Sequence, residues 1–411
     1  MGNKKCTKTG NKAKLLILLL LMPLIAGCWD RSELDERALV LGISIDKADP
    51  ETEKEEPDVS HLPGQEPLPA KDMIRLTAQL AVPGRIPLGP GGQGGGASPG
   101  GSQTIWPLSV VGHSMSDAIA NLQQQISSPL FLGHLRTIVV SEEIARKELK
   151  DINDYFRRNP EVRRTTWMMV SSGKAEPLMR SAPEIERVPT LYLMMTLEQA
   201  VKLGKFPQDF IGVFWSRSVK KGQEGFLPYV EVQKKDNILI QGMAYFKGTK
   251  MVGKPSPLEI AAYMGIKGES PGGYQLVKIP GTKSQAVFAA TQRKSKIDFK
   301  IVHGRPDFSV KVWIEGNINE INADAHLNDD NIKDIERAEA KRVQKIYGDL
   351  VSNTQKDGSD IFGFGEYVRA KAPKYWNREI RTVEQWQNMY KDVSVHIQTM
   401  VRVRRVGMTT S

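Results

Sequence analysis

Residues 136–170 read RTIVVSEEIARKELKDINDYFRRNPEVRRTTWMMV, and this stretch decides the fold. Arg136–Val140 and Thr165–Val170 are short apolar runs of strand length. Between them, Glu142 to Asn159 predicts a helix carrying Ile144, Leu149, Ile152, Tyr155 and Phe156, and Pro160 stops it. Strand, helix and strand with short joints make a βαβ unit, parallel and right-handed.

Upstream, Ala38 to Ile45 is nearly all apolar, as a strand covered on both faces should be. Met73 to Val82 alternates, with Ile74, Leu76, Ala78, Leu80 and Val82 on one side, which predicts a half-buried strand. The two are expected to pair across an acidic, Pro-rich insert at 51–69. Residues 83–101 include six glycines between Gly89 and Gly96. No Lys-Ser or Lys-Thr follows them, so a flexible linker is expected rather than a phosphate cradle. Ser116 to Ser127 reads as a helix capped by Ser114 or Ser116.

Downstream, residues 177–189 form a charged connector. Leu191 to Lys202 predicts a helix, and Phe206, Phe210, Phe214, Trp215 and Phe226 make the next segment aromatic-rich. They are expected in the core, with some at a subunit interface as the alternative. Residues 237–246 are read as a strand, 247–253 as a turn and return strand, and 257–264 as a helix. From Ser284 the pattern is strands, and Asp307 to Ile318 alternates. A long helix from Asp329 to Val351 follows, its two opening acids complementing the helix dipole. Val393 to Val403 alternates again. The reading is α+β: mixed β-sheets with packed helices, in two to three layered domains.

The chain starts with a basic leader (Lys4, Lys5, Lys8, Lys12, Lys14), an apolar run from Leu15 to Ile25, and Ala26-Gly27-Cys28. This is a secretory signal with cleavage after Gly27. Its apolar run falls short of the roughly 20 residues that a spanning helix needs. The cysteine after Ala-Gly makes it a lipobox, in which Cys28 takes a diacylglyceryl group and becomes the first mature residue. Two acyl chains suffice for stable anchoring where one is marginal. No later stretch reaches spanning length, so the mature chain is expected outside the cytoplasm.

The formal charge is +10, but the five leader lysines carry half of it, leaving about +5. That argues against a nucleic-acid binder and suits a protein near anionic headgroups. With Cys6 in the leader and Cys28 lipidated, no disulfide is expected. Of the candidate functional residues, Trp29 suits either the membrane interface or the first domain's core. Asp30, Arg31 and Glu33, with the charged residues up to Arg37, form either a partner-docking face or a solvated tether.

Six histidines are scattered, with no His-Glu-x-x-His and no pair at helical spacing. There is no Gly-x-Ser-x-Gly elbow. No metal site, cofactor or catalytic residue is therefore assigned. His134 is read as a structural side chain beside the sheet.

Cys28-Trp29-Asp30-Arg31-Ser32-Glu33-Leu34, followed by a strand ending in Asp46, resembles the opening of the Ger(x)C family. The resemblance continues in Gly133-His134-Leu135-Arg136 and the βαβ unit. It recurs in the strand ending at Phe246 with its basic turn and Val252-Gly253. It closes in Phe362-Gly363-Phe364-Gly365-Glu366-Tyr367, Pro373-Lys374-Tyr375-Trp376 and the final Arg404-Arg405 strand.

The resemblance implies three layered α/β domains and a lipoprotein subunit of a spore nutrient-germinant receptor. Its implied partners are a large membrane subunit and a transporter-like integral-membrane subunit, at the spore inner membrane, with no catalysis. The boundaries read from the sequence are 1–27 for the signal, 28–190 for the N-terminal domain, 191–283 for a middle domain and 284–411 for the C-terminal domain. The competing reading is a lipid-anchored solute-binding protein feeding a transporter. It is disfavoured by the single convincing βαβ unit and the antiparallel-type alternation after it.

Overall fold

The computed structural model describes residues 36–49, 51–52, 73–82, 104–183, 186, 188–233, 237–254, 256–269, 272–321 and 328–406. The signal, the lipobox, Trp29, Asp30, Arg31, Glu33 and the Gly-rich stretch lie outside these residues.

The first half of the chain builds around β1 (Ala38–Lys47), whose middle is buried on both faces. β2 (Ile74–Ala81) pairs with it antiparallel, as expected, and β3 (Ile105–Gly112) follows beside β2. Next comes α1 (Met115–Gln124), capped by Ser114, which accepts a hydrogen bond from Asp117 N. A two-residue strand, β4 (Leu130–Phe131), pairs with the start of β1.

β5 (Thr137–Ser141) and β6 (Trp167–Ser171) are parallel neighbours, and β5 is parallel to β1. The βαβ unit therefore stands, with one correction. The single helix expected over 142–159 is two: α2 (Glu142–Lys147) and α3 (Lys150–Arg158). The break lies where Leu149 is fully buried and its N–H donates to the Thr249 carbonyl. A tertiary partner takes the donor that a continuous helix would use within itself.

α4 (Pro189–Lys202) and α5 (Ile211–Ser218) then carry the chain to β7 (Phe226–Val232), which is parallel to β6. β8 (Ile238–Lys247) and β9 (Lys250–Gly253) finish the first sheet as an antiparallel meander. The path of this sheet is β3-β2-β1-β5-β6-β7-β8-β9. Phe206, Phe214, Trp215 and Phe226 are buried in the core.

α6 (Pro257–Lys267) leads to the second sheet, ordered β10 (Tyr274–Lys278), β11 (Gln285–Val302), β12 (Arg305–Ile321) and β13 (Ser394–Val406). Among the described residues, 191–283 thus contribute strands to both sheets and hold no sheet of their own. Between β12 and β13 run α7 (Asp329–Asp357), α8 (Phe364–Lys371), a helical turn at 373–380, and α9 (Val383–Tyr390). The alternation over 307–318 is real: Phe308, Val310, Val312 and Ile314 are buried against the helices. β13, however, runs parallel to β12. Alternation reports that one face is buried; it says nothing of strand direction. Among the described residues, no helix is long and apolar enough to cross a membrane.

Candidate functional site

Two features stand out: a polar seam that locks the two sheets together, and an apolar cleft beside it.

The seam is built by the Phe362–Tyr367 motif. Gly363 has φ +77° and caps α8. Asp360, buried ahead of it, accepts hydrogen bonds from Gly363 N at 2.8 Å, Gly365 N at 2.8 Å and Trp386 Nε1 at 3.0 Å. The loop before β7 docks onto this turn. Gly222 N donates to Glu366 Oε1 at 2.9 Å, and Glu366 N donates back to Gly222 O at 3.1 Å. Glu224 N donates to Asp360 O, and Ser359 Oγ donates to Phe246 O at 2.6 Å. The two glycines meet face to face: a Cβ on Gly222 would lie 2.4 Å from the Gly365 carbonyl carbon. The motif is therefore a joint between the halves of the chain.

Glu224 is buried in the same seam. It accepts from Gln387 Nε2 at 2.6 Å and from Gly248 N at 2.8 Å. Burial pushes its carboxyl up to about 7, against the pull of those two donors. The folded value lies above the unfolded one, so the stability this gives is fully present below about pH 4.5 and is lost as pH rises through 7. Urea midpoints are expected to fall from pH 5 to pH 8, with Glu224 contributing on the order of 3 kcal/mol. Glu224→Gln should flatten that slope. A midpoint that rises with pH, or an equal slope in the variant, would refute the assignment.

The cleft, about 870 Å³, lies between α4, α6, β8, the second sheet and α7. Its floor is apolar, with Phe288, Ala290, Val343 and Tyr347. Met195, Leu203, Leu239, Leu258 and Tyr274 line it while remaining about half exposed or more, at 46–66%. So many exposed apolar side chains around one concavity mark an interaction surface. One wall is polar: Glu339, 3% exposed, accepts from Arg342 Nε at 2.9 Å, and Arg342 Nη2 reaches Gln275 at 2.6 Å. Such a site can hold an apolar chain or side chains with a polar group at one end.

Gly27, Cys28, Trp29, Asp30, Arg31 and Glu33 are outside the described residues. His134 sits in a turn ahead of β5 with its ring edge-on to Phe131 at 5.8 Å, and burial lowers its pKa. The cleft was not legible because its lining residues come from eight separate elements. The seam left a signal, the Gly-x-Gly spacing, without saying what packs there. Among the described residues, no three His, Cys, Asp or Glu side chains converge as a metal site would require.

Residues 30–232 match the family described as spore germination protein, N-terminal domain. Residues 241–407 match spore germination B3/GerAC-like, C-terminal. The chain is similar to spore germination protein KC of Bacillus subtilis (strain 168), 24% identical over 422 residues, covering 97% of this chain and 96% of that one. It is also similar to spore germination protein GerQC of Bacillus cereus, 26% identical over 304 residues, covering 73% and 82%. The crystal structure of the GerBC protein shares the fold at a TM-score of 0.55 and 18% identity, over 80% of this chain and 93% of that one.

Proposed function

Because this chain belongs to the Ger(x)C family of spore germination proteins, we propose that it is the lipid-anchored, non-catalytic subunit of a spore germinant receptor complex. It is held by Cys28 on the outer face of a bacterial membrane, the spore inner membrane, and serves nutrient-induced germination. The observation that carries this reading is the pair of family matches, which together run from residue 30 to 407. The lipobox ending at Cys28 supports the anchor. The exposed apolar cleft supports a role in binding, with apolar segments of the integral-membrane receptor subunits as occupants. Trp29, Asp30, Arg31 and Glu33, which stand between Cys28 and β1 in the sequence, are the proposed partner-docking residues.

Cys28→Ala is expected to move the protein out of the spore membrane fraction and to reduce nutrient-triggered germination at least severalfold. Leu239→Asp with Leu258→Asp should leave it in the membrane but lose co-purification of the receptor subunits. Membrane retention and germination equal to wild type in Cys28→Ala spores would overturn the anchor. Undiminished co-purification in the double variant would overturn the cleft as the contact.

A further inference from the structure

We propose that the end of the first sheet from which the N-terminal segment leaves is a surface that lies on anionic lipid headgroups. Parallel pairing sets this end. β1, β5 and β6 all start there, and antiparallel pairing brings the end of β2 and the start of β3 to the same edge, with Leu80 opposite Trp106. The residues ahead of those strands include the basic Arg37, Arg136, Arg163 and Arg164, with the acidic Glu36 beside Arg37. α3 runs back along the sheet and ends at the same edge in Arg157 and Arg158.

The arrangement is rigid where it meets the sheet. Arg136 N donates to Leu41 O at 2.8 Å, Trp167 N to Arg136 O at 2.9 Å, and Gly212 N to Arg164 O at 3.0 Å. Arg157, Arg158, Arg163 and Arg164 are exposed. Among the described residues none of these four forms an ion pair, whereas exposed arginines elsewhere, such as Arg180 and Arg369, are paired at 2.6 and 2.7 Å. The acids beside them are Glu36 and Glu161, the latter accepting from Leu132 N at 2.8 Å, and they are outnumbered by the arginines. Trp106, 45% exposed, stands on the same edge, the side chain that best suits the headgroup layer.

Chain length selects the same end. Eight residue steps separate Cys28 from Glu36, a reach of at most about 28 Å. The other end of β1 lies about 30 Å further on. If Cys28 carries the lipid, as the proposed function has it, this edge is the one within reach of the bilayer. A second basic surface exists on the open face of the second sheet, around Lys294, Lys296, Lys311 and Arg404. There acids are interleaved: Lys296 pairs with Asp298 at 3.0 Å and Arg404 with Glu315 at 2.6 Å. The arginine edge has the better charge match to an anionic surface.

The test uses the chain from Trp29 onward, which lacks leader and lipid but keeps every described residue, with phosphatidylcholine vesicles with and without phosphatidylglycerol. Binding is expected only with phosphatidylglycerol and should fade as salt is raised. Replacing Arg157, Arg158, Arg163 and Arg164 by Gln should weaken it on the order of a hundredfold or more, at roughly fivefold per arginine. The same replacement at Lys294, Lys296, Lys300 and Lys311 should leave it within about twofold. No phosphatidylglycerol-dependent binding, unchanged binding in the arginine variant, or loss only in the lysine variant would each overturn the proposal. Mass spectrometry of the native protein separates this from the anchor: an unmodified Cys28 alongside arginine-dependent binding would sink the anchor and leave the surface.

Discussion

Asp360→Ala is expected to lower the unfolding free energy by about 3–6 kcal/mol, since each buried donor stranded without a partner costs about 1–3 kcal/mol. Three donors depend on this carboxylate: Gly363 N, Gly365 N and the Trp386 indole N–H. Asp360 is 1% exposed, so water cannot replace it without opening the seam. Burial pushes its carboxyl up to about 6, so near neutral pH it is ionised and accepts from all three. Asp360→Asn keeps one acceptor oxygen but turns an NH₂ toward a donor, and should lose an intermediate amount. A folded domain holds only about 5–15 kcal/mol in all, so the alanine variant should lose a large share of its urea midpoint. A loss under about 1 kcal/mol would show that the carboxylate does not organise the turn.

Gly222→Val is the second large effect. The new Cβ would meet backbone on every side: the Gly365 carbonyl carbon at 2.4 Å, Glu366 N at 2.6 Å and Gly365 Cα at 2.7 Å. Backbone cannot rotate away as a long side chain can, so the loop before β7 must lift from α8. Lifting breaks both hydrogen bonds between Gly222 and Glu366. Overpacking costs about 1–3 kcal/mol, and the lost bonds add about 1 kcal/mol each. The expected result is a loss on the order of 3–5 kcal/mol, with faster proteolysis between the two sheets. Gly348→Ala is the control: nothing lies within 4 Å of its added Cβ, and alanine suits the middle of α7. A Gly222→Val protein as stable and protease-resistant as that control would refute the close approach of the two loops.

The strongest local patterns were legible in residues alone. β1 and β2 announce themselves by an apolar run and an alternation, and they pair as read. The βαβ unit around β5 and β6 follows from strand, helix, stop and strand at short spacing. Ser114 as the cap of α1 was one of two candidates, and it is the one whose oxygen meets Asp117 N. What failed to show was whatever depends on distant residues. The break between α2 and α3 rests on Thr249, a hundred positions on, taking the Leu149 N–H. A second parallel step, β6 to β7, is carried by crossover helices whose apolar spacing is the same whichever way the next strand runs.

Sequence by itself fixed the α+β class, the family, and the periodicities that say which side of each element is apolar, because these follow from neighbours a few residues apart. The tertiary structure alone decided strand direction at β12 and β13, the grouping of residues 191–283 into two sheets, the Gly222–Gly365 joint and the cleft. Each of those is a meeting of segments far apart along the chain, and periodicity along one segment carries no information about its partner.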